Sequence, residues 1–185
     1  YHYIDEDFGS TGFGRVDKSK RQAADPDGCL SYSYSYQLDP DGRLAVKQGY
    51  SDNSWTTLAL TAAYYNDITN YMLDKTFVNP DAQGNTYYHY INENFNSQGY
   101  GRVDKDIRLN PDSDNARSRT FAYFGSTSTI QFKYSYQNPD FTALLITYEY
   151  NLSQRMAAKT LVSPDISGNT YYHYIDEDWQ SQGFG

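Results

Sequence analysis

The sequence predicts an all-β protein: tandem β-sandwich or barrel-like modules that repeat about every 85 residues. Three observations carry that expectation. One motif occurs three times, as Tyr1–Gly14 (YHYIDEDFGSTGFG), Tyr88–Gly101 (YHYINENFNSQGYG) and Tyr172–Gly185 (YHYIDEDWQSQGFG). Turn sequences built on Asp-Pro, Asn-Pro, Gly and Asn recur at short intervals; proline fixes φ there, and glycine or asparagine accepts the left-handed region. Between the turns lie short alternating runs drawn from 21 tyrosines and 9 phenylalanines, residues whose side chains suit a pleated surface.

The motif starts set periods of 87 and 84 residues, the size of a small β-domain and far longer than a solenoid turn. Residues 1–87 therefore form the first β-module, 88–171 the second, and 172–185 a partial third repeat that links or complements a sheet. A chain that starts at a tyrosine and ends inside a motif fits a processed product or a window of a longer array.

Taken in order, the first motif runs on into Arg15–Lys18, as the second runs on into Arg102–Lys105. A turn at Asp25–Gly28 leads to Ser31–Gln37, where serine and tyrosine alternate, so that Tyr32, Tyr34 and Tyr36 share one face. Further turns fall at Asp39–Gly42 and Ser51–Ser54. Trp55–Tyr65 is longer and more apolar, a central strand. Asn66–Lys75 and Asn151–Lys159 each fit a short helix, with Asn at the start and Ile68/Met72 or Leu152/Met156 four apart. They equally fit strand or loop, which repetition in a β-rich setting favours. Asn79–Asn85 and Ser163–Asn169 are the turns that enter the second and third motifs. Asp106–Ser128 has little counterpart in the first repeat and is the variable part of the module. Phe132–Tyr136 and Phe141–Tyr150 complete the second module as strands, the latter central.

Composition excludes several classes. A net charge of −8 and an isoelectric point near 4.7 repel phosphate backbones, so nucleic acid is not an expected partner. No apolar run reaches membrane-spanning length. Cys29 is the one cysteine, and without a Cys/His cluster neither a disulfide framework nor a zinc site can be built. Aromatic residues at 17% argue against disorder.

Candidate chemistry gathers in the motif. Asp5 and Asp7, and Asp176 and Asp178 in the third copy, lie two apart and can turn both carboxylates to one hard cation. Calcium takes about six to eight oxygens, so the turns at Asp25–Asp27 and Asp39–Asp41 would have to add ligands. Asn92 and Asn94 replace both aspartates in the middle copy, which weighs toward a solvated strand end. Calcium is the single candidate cofactor. His2, His89 and His173 have no nucleophile elbow beside them. A histidine copied once per module is a packing or hydrogen-bonding residue, and no enzyme is expected. Arg15 with Asp17, and Arg102 with Asp104, form surface charge ladders of small worth. Asn151-Leu-Ser153 is a glycosylation sequon. Tyr87, Tyr88, Tyr171 and Tyr172 stand at the module junctions. With Tyr1, Tyr3, Tyr90, Tyr174 and Trp179 they are the candidate interface residues.

Two stretches resemble the YD repeats of RHS-type bacterial surface and toxin-shell proteins, Tyr-x-Tyr-Asp-x-x-Gly-Arg-Leu. Tyr148-Glu-Tyr150-Asn151-Leu-Ser-Gln154-Arg155-Met156 follows the spacing, with Asn for Asp, Gln for Gly and Met for Leu. Asp39-Pro-Asp-Gly42-Arg43-Leu44 matches the second half. The resemblance implies an extracellular β-sheet shell or stalk. The expected function is a structural subunit of an extracellular fibre or cell-surface appendage, self-associating head to tail by strand addition. The alternatives are a secreted adhesin-like module for glycans or calcium, and a fragment of an RHS-like shell.

Overall fold

The structure is a computed structural model and describes residues 1–6, 14–37 and 42–185. Its strands are β1 (His2–Tyr3), β2 (Val16–Lys20), β3 (Ser31–Tyr36), β4 (Leu44–Tyr50), β5 (Leu58–Tyr64), β6 (Met72–Phe77), β7 (Asn85–Tyr90), β8 (Val103–Arg108), β9 (Ser118–Tyr123), β10 (Ile130–Tyr136), β11 (Leu144–Tyr150), β12 (Met156–Leu161) and β13 (Tyr171–His173). Among the described residues there is no α-helix; Phe95–Ser97 and Trp179–Ser181 are short 3-10 turns. The two segments that fit either helix or strand are a loop followed by β6 and a turn followed by β12.

The chain divides into two compact units, Tyr1–Arg102 with β1–β7 and Val103–Gly185 with β8–β13. The division falls between Arg102 and Val103, within the Arg102–Lys105 run that follows the second motif copy. Within each unit every strand pairs antiparallel with its neighbours in the chain. The all-β class holds. Its form is an open meander, where sandwich or barrel-like modules were expected: among the described residues no strand of a unit packs on any but its hydrogen-bonded neighbours.

A single layer must build its core on its own face. In the first unit Cys29, Tyr32 and Leu60 are buried, with Tyr34, Ala59 and Phe77 packed on them. Gly49 leaves the space for this: a Cβ there would stand 2.5 Å from Cys29 Sγ, 2.9 Å from Tyr32 and 3.1 Å from Leu60. Cys29 packs in this core, and burial pushes its thiol up to about 11. Lysine stems supply the cover that a second sheet would otherwise give. Lys47 Nζ lies 3.8 Å from the Tyr32 ring centroid, and Lys133 Nζ lies 3.8 Å from that of Tyr148. The aliphatic stem covers the ring while the ammonium meets its negative face. Burial lowers the pKa of both lysines.

The two units reach this core by different routes. Tyr34 faces Lys47 across β3–β4, and Phe121 faces Lys133 across β9–β10. In the first unit the buried ring beneath the lysine, Tyr32, comes from β3, and the residue across from Lys47 on β5 is Ala62. In the second unit it is Tyr148, across from Lys133 on β11, while β9 carries Arg119. Arg119 donates from Nε and Nη2 to Asp106 at 2.9 and 2.7 Å. Burial raises the Asp106 pKa even though Arg119 pulls it down.

The turns share one construction. Asp25, Asp81 and Asp165 each accept backbone N–H groups two and four residues on, while glycines 28, 84 and 168 take positive φ. The second carboxylate oxygen of each accepts a tyrosine hydroxyl seven residues on, from Tyr32, Tyr88 and Tyr172. One aspartate thus satisfies a turn and fixes a ring on the adjoining strand.

Candidate functional site

The repeated motif builds a clasp. The chain leaves the first strand at Ile4 or Ile91, whose N–H donates to the carbonyl of Arg15 or Arg102 at 2.9 Å. The next glutamate turns back, its N–H donating to the same isoleucine carbonyl at 2.9 Å for Glu6 and 2.8 Å for Glu93. Its carboxylate then receives the arginine as a two-pronged pair. Arg15 Nε and Nη2 stand 2.6 and 3.0 Å from Glu6, and Arg102 repeats both distances on Glu93. These arginines hold the pKa of Glu6 and Glu93 below the ordinary value. The glycine before each arginine is obligatory, because a Cβ on Gly14 or Gly101 would lie 2.0 Å from the isoleucine carbonyl oxygen. Arg15 and Arg102, expected in surface ladders with Asp17 and Asp104, make with the glutamates the pairs that close the hairpin.

The clasp also grips the hairpin before it. Gly99 and Gly183 offer their carbonyls to Met72 and Met156 N–H at 3.0 and 2.9 Å. Tyr90 packs on Tyr100, and Tyr174 on Phe184, with centroids 5.2 and 5.1 Å apart. The first residue of the acidic triplet completes the contact. Asn92 donates to Asp67 at 2.5 Å and accepts from Thr69. Asp176 instead accepts from Asn151 at 2.6 Å and from Arg155 at 3.3 Å. Carboxylate and amide have changed sides between the two copies, and each pair keeps one of each.

Strand register repeats as well. Thr76, Lys75 and Asp74 face Tyr87, Tyr88 and His89, and Thr160, Lys159 and Ala158 face Tyr171, Tyr172 and His173. The histidines lie in pairing positions on strands. His2 Nδ1 is 2.5 Å from Asp17, while His89 faces Asp74, whose pKa burial raises.

The sequence-derived cation ligands are placed as follows. Asp5 is exposed, and Asp7 lies outside the described residues, as do Asp39 and Asp41. Asp176 is engaged as above, and Asp178 accepts the Gly183 N–H at 2.6 Å, as Asn94 accepts that of Gly99 at 2.8 Å. Asp27 holds Lys75 Nζ at 2.5 Å. Among the described residues no three His, Cys, Asp or Glu side chains are grouped to hold a metal ion.

Of the candidate interface tyrosines, Tyr1, Tyr3 and Tyr171 are exposed, at 87%, 43% and 57%. Tyr90 is buried, Tyr87 and Tyr174 are half-buried, and Tyr88 and Tyr172 give their hydroxyls to Asp81 and Asp165 of their own hairpins. The side chain of Trp179 lies outside the described ones. Sequence reasoning missed the glutamate at the centre of the clasp. Its signal was present: Glu6 and Glu93 stand nine residues before an arginine in both complete copies, while the flanking acids vary between Asp and Asn.

No known protein family matches the chain, and no curated protein does. Among the described residues no helix is long and apolar enough to cross a membrane.

Proposed function

We propose that the chain is a structural repeat of an extracellular fibre or cell-surface appendage, extended head to tail. The clasp carries this reading: it recurs with the same register, the same Gly carbonyl to Met N–H contact and the same aromatic pair. A device that docks each hairpin on the one before it lets modules be added without inventing a new contact. The first copy keeps the glutamate–arginine pair and presents Asp5 to solvent, where the turn of a preceding hairpin would meet it. The partner turn in other copies is either Asp67-based or Asn151-based. Asp5 suits the Asn151 type, since two carboxylates would repel. β1 and β13 are end strands of the pairing order, and strand addition there would join subunits.

Electron microscopy and light scattering over a concentration series test the proposal. Filaments or head-to-tail oligomers are expected, weakened by Asp5→Lys. Discrete monomers at every concentration would sink it.

A second reading, an adhesin-like glycan-binding module, draws support from the half-buried tyrosines and phenylalanines of the lysine-covered face. Calcium titration with thermal melting addresses the cation version, where an unchanged Tm dismisses calcium as a structural ligand.

A further inference from the structure

The first unit carries an open groove of about 570 Å³ on its aromatic face, within the range of about 300–1,000 Å³ found for small-ligand sites. Its walls are two turns of like build, one containing Asp27 and the other Asp81 and Gln83. The turn between them adds Ser51 to the lining but carries Trp55 away from it. Trp55, at φ 58°, donates its Nε1–H to the Tyr32 carbonyl at 3.0 Å and lies against Lys18 and Lys20. Those lysines alternate with Ser19, whose hydroxyl is on the Tyr34 side. The floor is Phe77 and Tyr88, which meet edge to face with centroids 6.2 Å apart. Lys75 in that floor faces Ala62 across the strands, whereas its counterpart Lys159 faces the ring of Tyr148. The first unit thus has a methyl group across from Lys75 where the second has a phenol across from Lys159.

One lysine and two aspartates line the groove. Lys75 Nζ is 2.5 Å from Asp27. Asp81 accepts the Tyr88 hydroxyl and two backbone N–H groups. The one net negative charge left on Asp81 disfavours an anionic ligand, and the three hydrogen bonds it already accepts occupy it within its own turn. The rim holds exposed Asn79 and Gln83, whose amides both donate and accept. An aromatic floor with amide and carboxylate edges complements a molecule with one apolar C–H face and a margin of hydroxyls.

We infer that the first unit binds a neutral oligosaccharide in the groove between the Asp27 and Asp81 turns. This rests on the glycan-binding reading given above. Backbone-amide NMR on the whole chain tests it, with cellotetraose, maltotetraose and chitotetraose as probes, and with a heparin tetrasaccharide and a lysine-rich peptide alongside. One or more neutral sugars should shift the Asp27, Gly28 and Gln83 amides at millimolar concentration. Asn79→Ala and Gln83→Ala, both at exposed sites, should weaken that binding by about fivefold to tenfold each, the effect of losing one hydrogen bond. Phe77→Leu should abolish it, and if that variant does not fold, the two amide variants decide. Neutral sugars that shift only amides elsewhere overturn the groove but leave glycan binding standing. No shift with any neutral sugar overturns both. Preferential binding of heparin or of the peptide also overturns the inference.

Discussion

At the scale of single residues, the protein leans on side chains that do two things. Asp25 closes a turn and holds Tyr32, and Gly49 yields its side-chain volume to Cys29, Tyr32 and Leu60. Gly49→Ala should therefore cost about 1–3 kcal/mol through overpacking, read from urea unfolding. Cys29→Ala in the same background should cost less than the two changes summed, because it removes the nearest clash. Simple additivity would show that the sulfur contact is not the source. Such pairings were hidden in the sequence. Tyr32 was placed correctly on a face with Tyr34, but nothing in Ser-Tyr-Ser-Tyr marks which ring is buried. That choice depends on a glycine seventeen residues on, at position 49.

At the scale of elements, strands were the most legible feature. Ser31–Gln37 became β3, and the two longer apolar runs contain β5 and β11. Alternation announces a strand with two unlike faces, but not what covers the apolar one. The clue was a lysine in the middle of β4 and of β10, at 47 and 133, which a sheet-on-sheet core would not hold. The clasp was half legible. Its repetition was plain, but its acids suggested a cation site until their partners were seen across hairpins. Asn92→Asp should lower the Tm by setting a carboxylate against Asp67, and adding Asp67→Asn should restore it, recreating the second unit's kind of pair. A double variant that melts no higher than Asn92→Asp alone would show that the two pairs are not equivalent.

At the scale of the whole molecule, acid should act in two separable stages. Glu6 and Glu93 are held low by their arginines, Asp52 by Thr57, Asp67 by Thr69 and Asp165 by the Tyr172 hydroxyl. A carboxyl group lowered on folding takes up protons more readily in the unfolded chain. Its contribution is present above the ordinary carboxylate range, about pH 4, and is lost as pH falls through the lowered values. Asp74 and Asp106, raised by burial, act in the opposite sense, losing stabilisation as pH climbs past that range. Protonating Glu6 and Glu93 breaks the two-pronged arginine pairs of the clasp, so circular dichroism should keep its strand signal to about pH 4 and lose it below. The net charge of −8 at pH 7 vanishes near the isoelectric point of 4.7, so light scattering should show association there while the chain is still folded. Loss of strand signal at pH 5 would contradict this order.

The nearest-neighbour meander of each unit also sets how it yields to load. Tension applied along the strands of one unit would shear many hydrogen bonds together. Tension applied across them loads one strand pair at a time, because among the described residues no strand is braced by a second layer. Each hairpin would then peel off and release its slack before the next is stressed. Such a unit is stiff in one direction and extensible in the other, and it can re-zip from whichever hairpin is still closed.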